Sequence, residues 1–173
     1  MLNTTTSQTI GPYWHLLEDK SWADLTRFGA AGEAITLEGR LFDGDGSPLN
    51  DACVEIWQAS PEASEVFPGF GRSATDGEGR FRFRTLKPQA VRGPGNTLQA
   101  PHIALTILAR GLLFHLSTRL YFDGDTANAD DPILCLVDDP ARQATLIMRE
   151  TQAGNWYSDI HLQGEAETVF FRI

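Results

Sequence analysis

Apolar side chains recurring at every second position, in runs cut short by glycine-bearing turns, most constrain what this chain can fold into. Ile35, Leu37 and Leu41 fall on odd positions, and their run stops at Asp43-Gly44-Asp45-Gly46, a sequence able to supply positive φ angles. Ala52, Val54 and Ile56 alternate with Cys53, Glu55 and Trp57. Asp76-Gly77-Glu78-Gly79 then turns the chain into Phe81 and Phe83, which alternate with Arg80, Arg82 and Arg84. Ile103, Leu105 and Ile107 repeat the pattern, 116–122 follows after Gly111, and 156–162 and 168–173 close the chain. Successive side chains of a strand point to opposite faces, so these runs are half-buried strands, seven or eight in all. The one clear helix starts at Asp139-Pro140, with an acid at the cap and proline in the first turn. Ala141, Ala144, Leu146, Ile147 and Met148 place it near 140–149. Many short strands joined by glycine turns make the chain mainly β, and a β-sandwich is the expected fold.

The first 32 residues break the alternation. They carry Gly11-Pro12, Gly29 and Gly32, with Tyr13, Trp14, Trp22 and Phe28 scattered among polar residues, and are expected to form an extended arm ahead of a sandwich domain at 33–173. Aromatics gain little from water, so the arm is expected in a groove of its own body or of another chain, which makes association the default. The remaining 141 residues, in a chain 42% hydrophobic, suffice for one core. Fourteen basic against 23 acidic side chains leave a net charge of −9, which argues against nucleic acid or an anionic membrane surface as partner. Cys53 and Cys135 lie in apolar runs without Cys-x-x-Cys spacing, so both are expected to be free, buried thiols, as suits a cytoplasmic protein. Residues 1–6 show no basic region leading into an apolar stretch, and no segment approaches about 18 uninterrupted apolar residues. Neither export nor membrane spanning is expected.

Gln99-Ala100-Pro101-His102-Ile103-Ala104 holds one histidine where a His-x-His pair on one strand face would converge on a metal, and Ala104 has no donor to offer. Around it stand Gly11-Pro12-Tyr13, Glu55-Ile56-Trp57-Gln58-Ala59, Gly71-Arg72, Asp76-Gly77-Glu78-Gly79, Thr85-Leu86-Lys87-Pro88 and Arg119-Leu120-Tyr121-Phe122. In this order the pieces resemble the intradiol ring-cleavage dioxygenases, from Thr6-Ser7-Gln8-Thr9 to the terminal 164–171. The resemblance is to the alpha type of chain in an enzyme built from alpha and beta chains. It implies a β-sandwich in which non-haem ferric iron, Fe(III), is held by two tyrosines and two histidines.

Three of those four ligands are replaced here. The first tyrosine falls near Glu65 or Val66, the second at Val91, and the histidine pair at His102 and Ala104, while Gln99 stands where catalytic members carry an arginine. One imidazole cannot offset the dehydration of a ferric ion, so this chain is not expected to hold iron. The resemblance then implies that a beta chain holds Fe(III) and that the alpha chain helps close a shared pocket for a catechol acid and O2. Thr9, Gly11, Pro12 and Tyr13 in the arm and Arg110 at the end of the 103–111 run match the positions that reach that pocket. Arginine suits a ring carboxylate, though a beta-chain carboxylate would suit it equally. Tyr13 could line the pocket or merely pack. Without metal partners His102 is expected to be a satisfied buried histidine. His15, His115 and His161, without ligand spacing, are assigned no chemistry, and Arg80, Arg82 and Arg84 form a solvated or interface face. The rival readings are a stand-alone dioxygenase, which needs the missing ligands, and a non-enzymatic carrier or adhesion module, which needs no second chain.

Overall fold

A computed structural model of the protein describes residues 18–172. Along the chain run β1 (Ala34–Phe42), β2 (Cys53–Trp57), β3 (Phe70–Ala74), β4 (Arg80–Leu86), the two-residue β5 (Val91–Arg92) and β6 (Leu98–Gln99), β7 (His102–Leu108), β8 (Leu116–Phe122), α1 (Pro140–Ala144), β9 (Ile147–Gln152) and β10 (Asn155–His161). Eight strands follow one another in the order β3-β2-β7-β8-β9-β10-β1-β4, and β5 pairs with β6 separately. β9 is the seam between the two layers, parallel to β8 through Tyr121 and Phe122 and antiparallel to β10. The inward residues of both layers, among them Leu37, Leu41, Val54, Ile56, Phe83, Ile103, Leu105, Ile107, Leu120 and Ile160, meet in one buried cluster. This is the sandwich that the alternation predicts.

Gly39 sits in the middle of β1, on the inward face where the pattern calls for a large side chain. The ring of its cross-strand neighbour Phe81 fills that space: a Cβ on Gly39 would lie 2.4 Å from Phe81 Cζ and 2.4 Å from the Ser158 carbonyl oxygen on the parallel neighbour β10. Neither a backbone oxygen nor a packed ring can yield that far. Gly39→Ala is therefore expected to destabilise the chain by about 1–3 kcal/mol, the usual cost of overpacking, as read from the urea unfolding midpoint.

The stretch 18–32 lies against its own sandwich. Leu25 is fully buried, its N–H donating to Arg84 O (2.8 Å), and the Glu18 carboxylate accepts from Ala74 N (2.9 Å) at the end of β3. β3 and β4 are the ends of the strand order, and a chain laid across them covers edges that would otherwise offer unpaired backbone groups. Residues 1–17 of the expected arm lie outside the described residues.

Four expectations change. The helix is one turn and a half, Pro140–Ala144, with the Asp139 carboxylate capping Ala141 N (2.9 Å) as anticipated. It stops because the Thr145 hydroxyl bonds back to Arg142 O (2.7 Å), and Ile147 and Met148 pair with β8 instead of continuing the helical face. The tail at 168–172 forms only an isolated bridge, Phe171 to Ser117. β3, carrying glycine, arginine and serine, has too little apolar signal to be seen in the sequence. Cys53 is buried as expected, and burial pushes its thiol up to about 12, whereas Cys135 is exposed in a 3-10 turn at Leu134–Leu136.

Candidate functional site

β7 sends Ile103, Leu105 and Ile107 into the core and His102, Ala104 and Thr106 to its outer face. Its antiparallel register with β8 sets His102 opposite Tyr121 and Ala104 opposite Arg119. β5 and β6 set Val91 opposite Gln99. Arg119 Nη1 donates to Gln99 Oε1 (2.6 Å), so the guanidinium reaches from beside Ala104 to the Gln99 amide. A positive charge thus stands among the positions where the resemblance implies iron and a substrate-side arginine.

Two side chains there carry atoms able to bind a metal, His102 and Tyr121. His102 Nδ1 donates to Ala100 O (2.8 Å), and the ring packs 5.6 Å from that of Tyr121. Burial holds its pKa below the usual histidine value, and the Arg119 charge lowers it further. Tyr121 donates its hydroxyl to Asp131 Oδ1 (3.0 Å), and burial, reinforced by the Asp131 charge, raises its pKa. Glu65 and Val66 lie exposed in the loop between β2 and β3. Among the described residues no three His, Cys, Asp or Glu side chains gather into a metal-holding group. One imidazole nitrogen facing a guanidinium does not fit a ferric ion. His102 itself is half-buried and satisfied through its carbonyl partner.

Arg119 and Asp131 are missed by sequence reasoning. Arg119 could be found from register, since the small Ala104 faces it across an antiparallel pair and leaves room for a long side chain. Asp131 caps the local N–H groups of Ile133 and Leu134, but the bonds to Tyr121 and Ala100 that bring it to this site span ten and thirty-one residues and leave no local signal.

Arg110 stands immediately beyond β7. Cys53 on β2 faces Leu108, and continuing that register by two residues brings Asp51 opposite Arg110. Arg110 Nε meets Asp51 Oδ2 at 3.0 Å, and the arginine side chain is 78% exposed. Leu113 and Phe114, just past the turn at Gly111, are also largely exposed. Thr9, Gly11, Pro12 and Tyr13 lie outside the described residues. Of the other histidines, His161 stacks on Phe42 (4.8 Å between centroids) and His115 is exposed. Arg82 pairs with Glu38 (3.2 Å) across the solvated face of β4 and β1.

Comparison with known proteins places this geometry among relatives. A model of the dioxygenase family matches residues 11–164. The protocatechuate 3,4-dioxygenase alpha chain of Pseudomonas putida is 37% identical over 195 aligned positions, covering 99% of this chain and 97% of that one. The protocatechuate 3,4-dioxygenase beta chain of Burkholderia cepacia is 34% identical, covering 82% of this chain and 69% of its own. Among solved structures, the dioxygenase domain of a dioxygenase and carbohydrate-binding fusion from Streptomyces sp. SirexAA-E superposes with a TM-score of 0.62 at 28% identity, over 82% of this chain and 86% of that one.

Proposed function

The chain belongs to the dioxygenase family, and on that premise we propose that it is the alpha, non-iron-binding subunit of a protocatechuate 3,4-dioxygenase. With a beta subunit it would cleave protocatechuate with O2 to 3-carboxy-cis,cis-muconate, a step of aromatic-compound catabolism by the beta-ketoadipate route in the cytoplasm. One observation carries the reading. A chain similar from end to end to an alpha chain presents, where the family's ligands would stand, a guanidinium bonded to Gln99 beside a single imidazole. The Fe(III) cofactor is accordingly assigned to the beta subunit.

What this subunit contributes is shape and charge. Arg110 keeps a permanent positive charge and, with only Nε engaged, leaves its two Nη nitrogens to grip the ring carboxylate of protocatechuate. Thr9, Gly11, Pro12 and Tyr13 are assigned to the wall of the same pocket, glycine and proline allowing backbone to lie close to a flat ring. Exposed Trp57, Leu113 and Phe114 support association with another chain, so the working unit is a hetero-oligomer of alpha–beta protomers.

The test is co-expression with a beta chain. The pair is expected to co-elute as one species, to carry stoichiometric iron and to consume O2 with protocatechuate, while the lone chain does none of these. Stoichiometric ferric iron in the lone chain, with a tyrosinate-to-iron absorption band, would instead establish a stand-alone dioxygenase. A stable lone chain indifferent to the beta chain would favour a carrier or adhesion module.

A further inference from the structure

We propose that Asp51 is a positioning residue for Arg110, holding the Nε edge of the guanidinium so that the Nη pair is presented in one orientation to the substrate carboxylate. The inference rests on the reading of Arg110 given above. It starts from the register: β2 and β7 run antiparallel, and the pairing that sets Cys53 against Leu108 places Asp51 against Arg110 one step beyond the ladder. Asp51 stands on a fixed backbone. Its neighbour Ala52 donates its N–H to Thr75 Oγ1 (3.0 Å) and accepts from Thr75 N (3.0 Å), and Ala52 and Thr75 are both buried.

The carboxylate itself has little freedom. Oδ1 is buried and meets no donor among the described residues, while Oδ2 takes the arginine. Among the described residues, Arg110 is the one cation that pairs with this carboxylate, whose side chain is otherwise 35% exposed. From the arginine's side, Asp51 is the ion-pair partner that draws in an otherwise exposed side chain through a charge contact at Nε rather than an aligned hydrogen bond, and no other carboxylate among the described residues pairs with the guanidinium. An arginine already ordered loses less conformational freedom when it closes on an anion. Against this, the Asp51 charge repels that anion and competes for the guanidinium. The two effects have opposite signs, which makes the proposal testable.

The test uses the assembled alpha–beta enzyme with protocatechuate, and with catechol, which lacks the carboxylate, as substrate or competitive inhibitor. Asp51→Ala is expected to raise KM for protocatechuate about fivefold, the most that an exposed ion pair supplies, with kcat within about twofold and catechol binding unmoved. Asp51→Asn, which keeps shape and one acceptor, is expected to fall between Asp51→Ala and the unaltered enzyme and carries the test if Asp51→Ala does not assemble. Added to Arg110→Ala, Asp51→Ala should cost nothing further. A lowered KM would show that Asp51 competes rather than positions. Equal effects on catechol, or full additivity with Arg110→Ala, would equally overturn the proposal. If Arg110→Ala alone leaves protocatechuate KM unchanged, the failure lies in the role of Arg110. If Arg110→Ala is severe and both Asp51 variants are silent, only the positioning role fails.

Discussion

Asp131→Ala is expected to cost about 3–5 kcal/mol of folding stability, the range for removing one member of a buried charged network. Asp131 is fully buried and accepts four hydrogen bonds: Oδ1 from the Tyr121 hydroxyl (3.0 Å), Ile133 N (2.9 Å) and Leu134 N (2.8 Å), and Oδ2 from Ala100 N (2.8 Å). These donors come from the approach to β7, from β8 and from the turn at Leu134–Leu136, so one carboxylate ties three segments together. Alanine strands all four donors beside a new void, and water cannot replace them without entering the apolar cluster of Ala100, Tyr121, Leu134 and Leu146. Tyr121→Phe removes one donor and leaves three satisfied bonds, so about 1 kcal/mol is expected there. The contrast is checked by urea unfolding of both variants, with slopes compared to confirm that the transition is unchanged. An Asp131→Ala loss no greater than that of Tyr121→Phe would mean that the network is not what holds the turn at Leu134–Leu136 against β8 and the approach to β7.

The strands that carry the sandwich core were legible in the sequence because burial on one face leaves a period of two, as in Ile35, Leu37 and Leu41 or Phe81 and Phe83. β3 was not, since Phe70-Gly71-Arg72-Ser73-Ala74 owes its strand state to pairing with β2 and to the room that Gly71 leaves for Leu25. The segment Leu146-Ile147-Met148 deceived for the opposite reason. Its apolar spacing continues a helical face, yet Ile147 and Met148 find their partners on β8. At the candidate site, His102, Ala104, Gln99 and Val91 were found by position, but not what fills the space between them. The Arg119 bond to Gln99 spans twenty residues and the Asp131 bond to Ala100 thirty-one, and neither leaves a local pattern. Asp51 was hidden in the same way, by a pairing register that only strand order fixes.

Arg110→Ala, made in the alpha–beta assembly, is expected to lower kcat/KM for protocatechuate about thirty- to a hundredfold, the equivalent of losing a charge-assisted pair of hydrogen bonds. The loss should fall mainly on KM if the guanidinium grips the carboxylate alike in ground and transition states. Catechol, without that carboxylate, should be nearly unaffected, and iron content should stay the same. Arg110→Lys keeps the charge and loses the planar fork, so an intermediate loss of about tenfold is expected. Folding is a poor alternative explanation. The Arg110–Asp51 pair is largely exposed on the arginine side, and exposed pairs contribute about 0–1 kcal/mol. A second outcome would reassign the residue rather than silence it. If Arg110→Ala weakens co-elution with the beta chain and depresses protocatechuate and catechol turnover in proportion, its partner is a carboxylate of that chain, and its charge serves assembly. Unchanged kinetics for both substrates with an intact assembly would remove Arg110 from the pocket altogether.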